Sequence, residues 1–559
     1  MNKNNFRFKV GILLQGFKMN KIEKDFIDLL LKEQNIELYA ICEKKKNINL
    51  FQKILFAYKK NSIYRNFEIF FFKLIFLTEK FLLSFCFKNL KELDNTFVIN
   101  KDYFKKIIYV DPIYSPKGMY SEYTKLDFNK ILDEKLDLVV RGNVYEIFRN
   151  NKLNISRLGI LSFHHGDSSW NRGGPPGFWE TYLNKPQTGF VIQKLDEKLD
   201  NGKILFKGEF ATKRSYILNK YNLLKESNPF LIEVMQKVLT NQNIPEIKTN
   251  TDSLDIFKIP SIKITIKYIL IKLSLLSKLI FKRFILLKRQ RWNVAYSRKN
   301  FQDLNFNNSI NISNLKNRYF ADPFVVYRDN KHFIFVEDYS YKNKKGTISV
   351  IQIDENDNQK LYENIIDEKF HLSFPYVFEH KNNYYMIPET SENNCIKLYK
   401  CKNFPNEWEF CHNLISDIQC VDTIMININE KYFLITSQGT KDEFSSRLNI
   451  FYSEDPLSTN WVPHKLNPIY FNITEGRNGG LIRNKNNIYR VSQKFGINYL
   501  GDNQYGNEIS IRSVENITSE DFKEIIIKNI KPKFKKKLLG IHSMSGIDGF
   551  TVFDYCNYE

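Results

Sequence analysis

The chain has 559 residues, too many for one hydrophobic core, so two or three domains are expected. Apolar residues make up 43%, with 47 Phe and 31 Tyr, and this excludes a disordered chain. The formal charge of +21 is discounted as a sign of an anionic partner, because a Lys-, Asn- and Ile-rich composition raises the basic count by itself.

Seven cysteines, at 42, 86, 395, 401, 411, 420 and 556, form no CxxC and no even framework. Such a set reads as reduced and intracellular, with no metal site. The apolar run Val10–Leu14 is too short for a leader, and Phe67–Phe87 is interrupted by Lys73, Glu79 and Lys80, so no spanning helix is expected. The expected location is the cytoplasm, or the inner face of the membrane.

In chain order, Val10–Leu14, Ile36–Ile41, Lys106–Val110, Leu136–Val140 and Gly159–Phe163 read as buried strands, with helices such as Lys21–Leu31 and Asp127–Glu134 between them. This alternation predicts an α/β doubly wound domain over residues 1–215. In such sheets ligands sit beyond the carboxyl ends of the strands, where Gly159–Phe163 delivers His164.

Residues 216–291 are expected to be a helical basic linker. No acidic residue occurs from Ile256 through Gln302, while Lys263, Lys267, Lys272, Lys278, Lys282 and Arg283 interleave with Ile, Leu and Phe. The pattern fits a cationic amphipathic helix on an anionic membrane surface, and equally an interdomain helix with a basic solvent face. The aromatic-heavy segment Leu50–Leu90 is a second candidate for the same contact.

Residues 292–559 have a different texture. A strand, a polar turn and an aromatic-rich strand recur from Ala321, Ser373, Val421, Gly476 and, more loosely, Gly540. Five such copies predict an all-β domain, a five-bladed β-propeller. A polar residue heads each copy, so Asp322, Glu337, Glu389, Asp422, Glu475, Arg477 and His542 are expected to converge at the central channel. Paired carboxylates flanking a sugar are what glycoside chemistry requires. The same groups could also cap turns, or hold a sugar without cleaving it.

In the first domain, Leu161-Ser-Phe-His-His-Gly ends a strand and is followed by a Gly- and Pro-rich loop with Arg172. A histidine at a strand end serves as general acid or base only if its ring is held, and Asp200 on a neighbouring strand is a suitable partner. A lone histidine of this kind can also be purely structural. Together, Arg157-Leu-Gly, His164, Arg172-Gly173, Thr188-Gly189 and Leu199-Asp-Asn-Gly resemble the formyltransferase N-terminal family, over about residues 7 to 215.

That resemblance implies formyl transfer from 10-formyltetrahydrofolate to an amine, with His164 catalytic and Asp200 its partner. Gly166, Asp167, Arg172 and Gly173 would then contact the cofactor. The family's oxyanion-binding Asn is Ser162 here, a shorter side chain with one donor, and His165 could supply the missing one. Either the site is rebuilt around His164-His165-Gly166-Asp167, or its chemistry has changed.

The second domain resembles the N-terminal domain of plant glucosamine inositolphosphorylceramide transferases and, more distantly, five-bladed glycoside hydrolases. Tyr319-Phe-Ala-Asp-Pro-Phe, His371-Leu-Ser-Phe-Pro-Tyr, Ile387-Pro-Glu-Thr-Ser, Asn403-Phe-Pro-Asn-Glu-Trp and Val421-Asp-Thr carry the likeness. By that resemblance Asp322 would be a base, Glu475 an acid and Asp422 an orienter.

Two functions are therefore expected. One is formylation of an amino sugar, or of a nucleotide sugar that carries it, in surface-glycan synthesis. The other is a glycan-binding or glycosyl-transferring propeller beside a non-catalytic formyltransferase-like domain. With no OB-like domain after the first module, a tRNA or other nucleic-acid partner is disfavoured.

Overall fold

Short β-branched runs and amphipathic helices alternate along the first half of the chain, and short aromatic strands fill the second. The structure, a computed structural model, describes residues 7–44, 61–92, 95–115, 120–144, 146–167, 169–170, 172–196, 202–242, 244, 247, 256–281, 284, 289–439, 446–497, 503–535 and 537–559. Two compact units divide it, Met1–Ser274 and Leu275–Glu559.

The first unit contains strands β1 (Phe8–Leu14), β2 (Ile36–Glu43), β3 (Lys106–Val110), β4 (Leu138–Arg141), β5 (Ile160–His164), β6 (Gln187–Lys194) and β7 (Lys203–Ala211). They form one seven-stranded sheet in the order β7-β6-β5-β4-β1-β2-β3. β1 pairs in parallel with β2 and β4, β4 with β5 and β2 with β3, while β6 and β7 run antiparallel. The expected α/β architecture is thus observed, and its strand order reverses at β1 and β4. There Gln15 N donates to Asn143 Oδ1 at 2.7 Å and Gln15 Nε2 to Glu146 Oε1 at 2.7 Å.

Among the described residues, the longer helices of this part of the chain are α1 (Lys21–Leu30), α2 (Ile63–Ser84), α3 (Lys125–Leu132), α4 (Phe178–Tyr182), α5 (Tyr216–Leu239) and α6 (Ile262–Ile280). α1 starts with a capping box, in which the Asn20 side chain accepts from Glu23 N and the Glu23 side chain accepts from Asn20 N. α5 begins where the first domain was expected to end, capped by Ser215. It is not a linker. Leu223, Leu231, Val234 and Met235 are buried, and Asn228 Nδ2 donates to Ile22 O at 3.1 Å, so α5 belongs to the first unit. Its burial follows from an apolar face that has the sheet to cover.

The second unit is a ring of five antiparallel blades, the fourth and fifth joined into one eight-stranded sheet by a parallel pairing of Ile482 and Arg483 with Gly546 and Ile547. Blade one comprises Arg318–Arg328, Lys331–Ser340, Lys345–Ile353 and Gln359–Ile366; blade two Ser373–His380, Asn383–Glu389, Cys395–Asn403 and Glu407–Ser416. Blade three comprises Cys420–Ile428, Lys431–Gln438, Arg447–Ser453 and Val462–Pro463; blade four Arg477–Asn484, Asn487–Ile497, Asn503–Ile517 and Phe522–Ile530.

Blade five is composite. Met544–Ile547 and Phe550–Tyr558 pair with Gln290–Ser297 and Ile310–Ile312 from the start of the unit, in register Gln290↔Tyr558 to Ser297↔Thr551. The innermost strand of blade one contacts those of blades two and five, which closes the ring. Each of the five sequence copies falls on the inner hairpin of one blade.

Candidate functional site

The inner strand of each of the first four blades carries an irregularity at the same place. Register shifts lie between Ala321 and Phe324, Ser373 and Tyr376, Val421 and Ile424, and Asn478 and Gly480. Within them Asp322 (φ +50°), Phe374 (+47°), Asp422 (+53°) and Gly480 (+128°) have left-handed backbones. Asp and Gly tolerate that region, whereas a Phe there is a steric outlier held by packing. Phe374 is fully buried, edge-on to Phe324. Such bulges re-aim the side chain they carry. The residue before each bulge pairs with the second strand, as Ala321↔Glu337, Ser373↔Glu389, Val421↔Ser437 and Asn478↔Ser492, which brings Glu337 and Glu389 to the same level.

In blade five the corresponding position is taken by His542 and Asp554. The imidazole stacks on Trp292, with ring centroids 3.8 Å apart. Its Nδ1 lies 2.6 Å from Asp554 Oδ2 and its Nε2 3.2 Å from Asp322 Oδ1. Asp554 is also fixed by backbone donors, accepting from Asp322 N on Oδ2 and from His542 N and Ser543 N on Oδ1. Burial alone would discharge the imidazole, but Asp554 and Asp322 outweigh it and push the pKa up to about 9.

The carboxyls also shift upward, but here burial drives the shift instead of opposing it. Burial first, then Asp422 and Asp554, push Asp322 up to about 7 against the pull of His542 and Arg477. Burial and Asp422 raise Glu389 to about 8, although Ser373 and Ser391 hydroxyls donate to it at 3.1 and 2.9 Å. Glu337 is raised well above the usual range by burial, Asp322 and Glu389. Asp422 is held by Arg477 Nε at 2.5 Å and Gln493 Nε2 at 3.2 Å.

At neutral pH the site therefore combines protonated carboxyls, which donate hydrogen bonds, with carboxylates, which accept them. Among the described residues, Asp322, His542 and Asp554 are the group whose ligand atoms could hold a metal ion, all within 4.8 Å of one another. With its pKa pushed up to about 9, the His542 ring carries positive charge between Asp322 and Asp554 at neutral pH.

Of the seven expected channel residues, six share this electrostatic environment: Asp322, Glu337, Glu389, Asp422, Arg477 and His542. Glu475 is engaged elsewhere. Its Oε1 meets Arg512 Nη2 at 2.5 Å and its Oε2 accepts from Asn472 Nδ2 at 2.8 Å. Arg512 in turn shares Glu524 with the wholly buried Arg490. Arg490 also donates to Asn478 Oδ1, and Asn478 Nδ2 donates to Asp422 O at 2.7 Å, so this network props the axial group from behind.

Sequence reasoning missed Asp554, Trp292 and Gln493. Asp554 ends the fifth copy and was visible there. Trp292 precedes the first copy, and only ring closure brings it in.

In the first unit, His164 ends β5 at the carboxyl edge of the sheet, half-buried and paired across to Val191. Ser162 shares its face but is buried, and its Oγ donates to the Phe163 carbonyl at 3.1 Å. Its one proton is thus directed at the chain itself. His165 turns the other way, stacked on Phe163 with Nε2 3.3 Å from Ser227 Oγ on α5. Burial, with His164 and Lys220 nearby, lowers its pKa to about 3, which leaves it neutral.

Gly166 is buried beside Asp167, which binds Lys207 Nζ at 3.0 Å and accepts from Ser169 N and Oγ. Burial opposes its charge, but these Ser169 bonds and Lys207 hold its carboxyl below the ordinary value. Gly173 (φ +98°) pairs beside Phe257, where a Cβ would meet the Phe257 carbonyl at 2.2 Å. Arg172 takes part in that pairing through its backbone. Asp200 lies outside the described residues, as does the side chain of Arg172. An oxyanion donor at position 162 is therefore not provided in this geometry, so the described residues fit a formyl-bearing folate only in part.

The family model described as glucosamine inositolphosphorylceramide transferase 1, N-terminal, matches residues 307–547. Similar chains include glucosamine inositolphosphorylceramide transferase 1 of Arabidopsis thaliana, 33% identical over 219 residues, covering 38% of this chain and 28% of the relative. The Oryza sativa subsp. japonica protein of the same name is 30% identical over 211 residues, covering 37% and 27%. This chain thus spans little more than a quarter of those relatives' length.

Methionyl-tRNA formyltransferase of Bacillus thuringiensis (strain Al Hakam) is 27% identical over 131 residues, covering 23% of this chain and 42% of that protein. Among solved structures, a family 117 glycoside hydrolase of Zobellia galactanivorans aligns at TM-score 0.32 and 11% identity, over 48% of this chain and 91% of its own. A Cellvibrio cellulosa alpha-L-arabinanase aligns at 0.31 and 12%, over 40% and 82%. Neither structural likeness bears on the architecture, which rests on the strand pairings above.

Proposed function

We propose that this chain is a glycan-directed transferase whose propeller binds an amino sugar at the axial group of Asp322, Glu337, Glu389, Asp422, Arg477 and His542. The observation that carries the reading is the convergence of five carboxyls, these four and Asp554, against only two cations. With Glu337 and Glu389 protonated and donating to ring hydroxyls, Asp322, Asp422 and Asp554 remain against the two cations, and a sugar ammonium would offset that excess. The plant relatives are named for glucosamine, which supports trying amino sugars first. Asp322, poised at about 7, is suited to take a proton from an attacking hydroxyl, and Glu389, at about 8, to give one to a leaving oxygen. Glu389 thereby takes the acid role that the resemblance assigned to Glu475.

Saturation-transfer NMR of the full chain with glucosamine, N-acetylglucosamine and glucose tests the reading. Glucosamine is expected to bind best, and Asp422→Asn to weaken it by about tenfold or more. Equal weak signals from all three sugars would sink it.

A second reading, formyl transfer from 10-formyltetrahydrofolate to that amino sugar, is favoured by His164 standing at the carboxyl end of β5. It requires an oxyanion donor other than Ser162. Thermal stabilisation by 5-formyltetrahydrofolate that is lost in His164→Ala supports it, and no stabilisation of the wild type removes it.

A further inference from the structure

The outer faces of α2 and α6 are apolar where a helix packed on a soluble core is normally polar. On α2, Ile63, Phe67, Phe70, Leu74, Leu77 and Phe81 follow the four-then-three spacing of one helical face, and all are exposed, Ile63 by 71% and Leu77 by 63%. On α6, Ile266, Leu270 and Leu273 repeat the pattern, Leu270 being 60% exposed.

The inner faces are conventional. Phe72 and Phe76 pack with Tyr268, Phe178 and Tyr216 in one buried cluster. The Tyr268 hydroxyl donates to Glu79 Oε1 at 2.9 Å, and Arg65 Nη1 pairs with Glu68 at 2.7 Å. The two helices therefore have a satisfied inner side, and an outer apolar surface larger than scattered exposed residues account for.

The charge arrangement identifies the occupant. Both carboxylates of α2, Glu68 and Glu79, are turned toward the inner cluster, and α6 has none. Burial lifts Glu79 to about 7, which keeps negative charge on this side low. Exposed Lys73, Lys263 and Lys267 are left beside the apolar stripes. A second copy of the chain would set lysines against lysines. A bilayer with anionic headgroups instead offers hydrocarbon to the stripes and negative charge to the lysines. No helix among the described residues is long and apolar enough to cross a membrane.

We propose that α2 and α6 form an interfacial pad that seats this chain on an anionic lipid surface, lying in the headgroup layer without spanning it.

Flotation of the full chain with vesicles of phosphatidylcholine, alone or mixed with phosphatidylglycerol, tests this. The wild type is expected to float with the mixed vesicles and to lag with the neutral ones. Phe70→Glu combined with Leu270→Glu should stay in the soluble fraction at unchanged circular dichroism. Lys263→Glu combined with Lys267→Glu should weaken partitioning to anionic vesicles by roughly tenfold or more and leave the neutral ones unaffected. A wild type that floats with neither vesicle overturns the proposal. So does a dimer in light scattering that the Phe70→Glu and Leu270→Glu pair dissociates, since the pad is then a self-interface.

Discussion

The two units treat buried charge in opposite ways. In the first, Lys152 and Glu43 form a one-to-one pair, both fully buried, at 2.6 Å, with the Tyr123 hydroxyl donating to the same Glu43 oxygen and Lys152 Nζ donating to Ser121 Oγ. In the propeller, Asp322, Glu337, Glu389, Asp422 and Asp554 face Arg477 and His542, and the excess is relieved by keeping protons on carboxyls. A balanced pair serves the fold, since each charge is cancelled where it sits. An unbalanced group costs stability wherever it is ionised, which is in keeping with the sugar site proposed above.

That contrast can be broken first at the one-to-one pair. Lys152→Met strands Glu43 in the core and is expected to cost about 3–5 kcal/mol. Hydrogen exchange should register the loss in residues 8–43 and not in residues 477–530. A loss under about 1 kcal/mol would mean that Glu43 simply takes up a proton.

The axial group predicts a smaller effect of opposite sign. Glu389 keeps its proton to about pH 8 when folded, whereas the unfolded side chain loses it near 4.5. Between these values the unfolded state is favoured, so propeller stability falls as pH rises. His542 adds to the fall, because the folded ring stays charged to about 9 while the unfolded ring discharges near 6.5. Glu389→Gln removes its own contribution and should flatten the decline measured by chemical denaturation from pH 5 to 8. His165 acts the other way, since a folded pKa of about 3 makes acid destabilising between 3 and 6.5. If the pH response of blade two matched that of the first unit, the distinction would fail.

Much of this was legible in the sequence. The five parallel strands announced themselves as apolar runs, and His164 was placed at a strand end because a Gly- and Pro-rich loop follows the apolar run Gly159–Phe163. The polar heads of the repeats gave Asp322 and Asp422, where a bulge turns the side chain inward, and His542, which precedes the first strand of the fifth copy. Two things were hidden by long-range geometry, and a third by local conformation. The helix of residues 216–239 looked like a connector, since nothing local shows that a sheet face needs covering. Glu475 heads a copy as the others do, yet Arg512, thirty-odd residues downstream, takes it. Ser162 had the right position, and its commitment to the Phe163 carbonyl is a matter of a single torsion angle.

The composite fifth blade has a consequence in time. Gln290–Ser297 is made before any complete blade, yet its main-chain partner, Phe550–Tyr558, is made after the other four. Until then the early strand is an unpaired edge of the kind that recruits the wrong neighbour. Such distant pairing also slows folding, since the loop must close before any contact rewards it. Trp292 rides on that waiting strand, and its stacking on His542 is therefore completed only when the ring is. Closure of the ring and the seating of Trp292 on His542 are thus one and the same step.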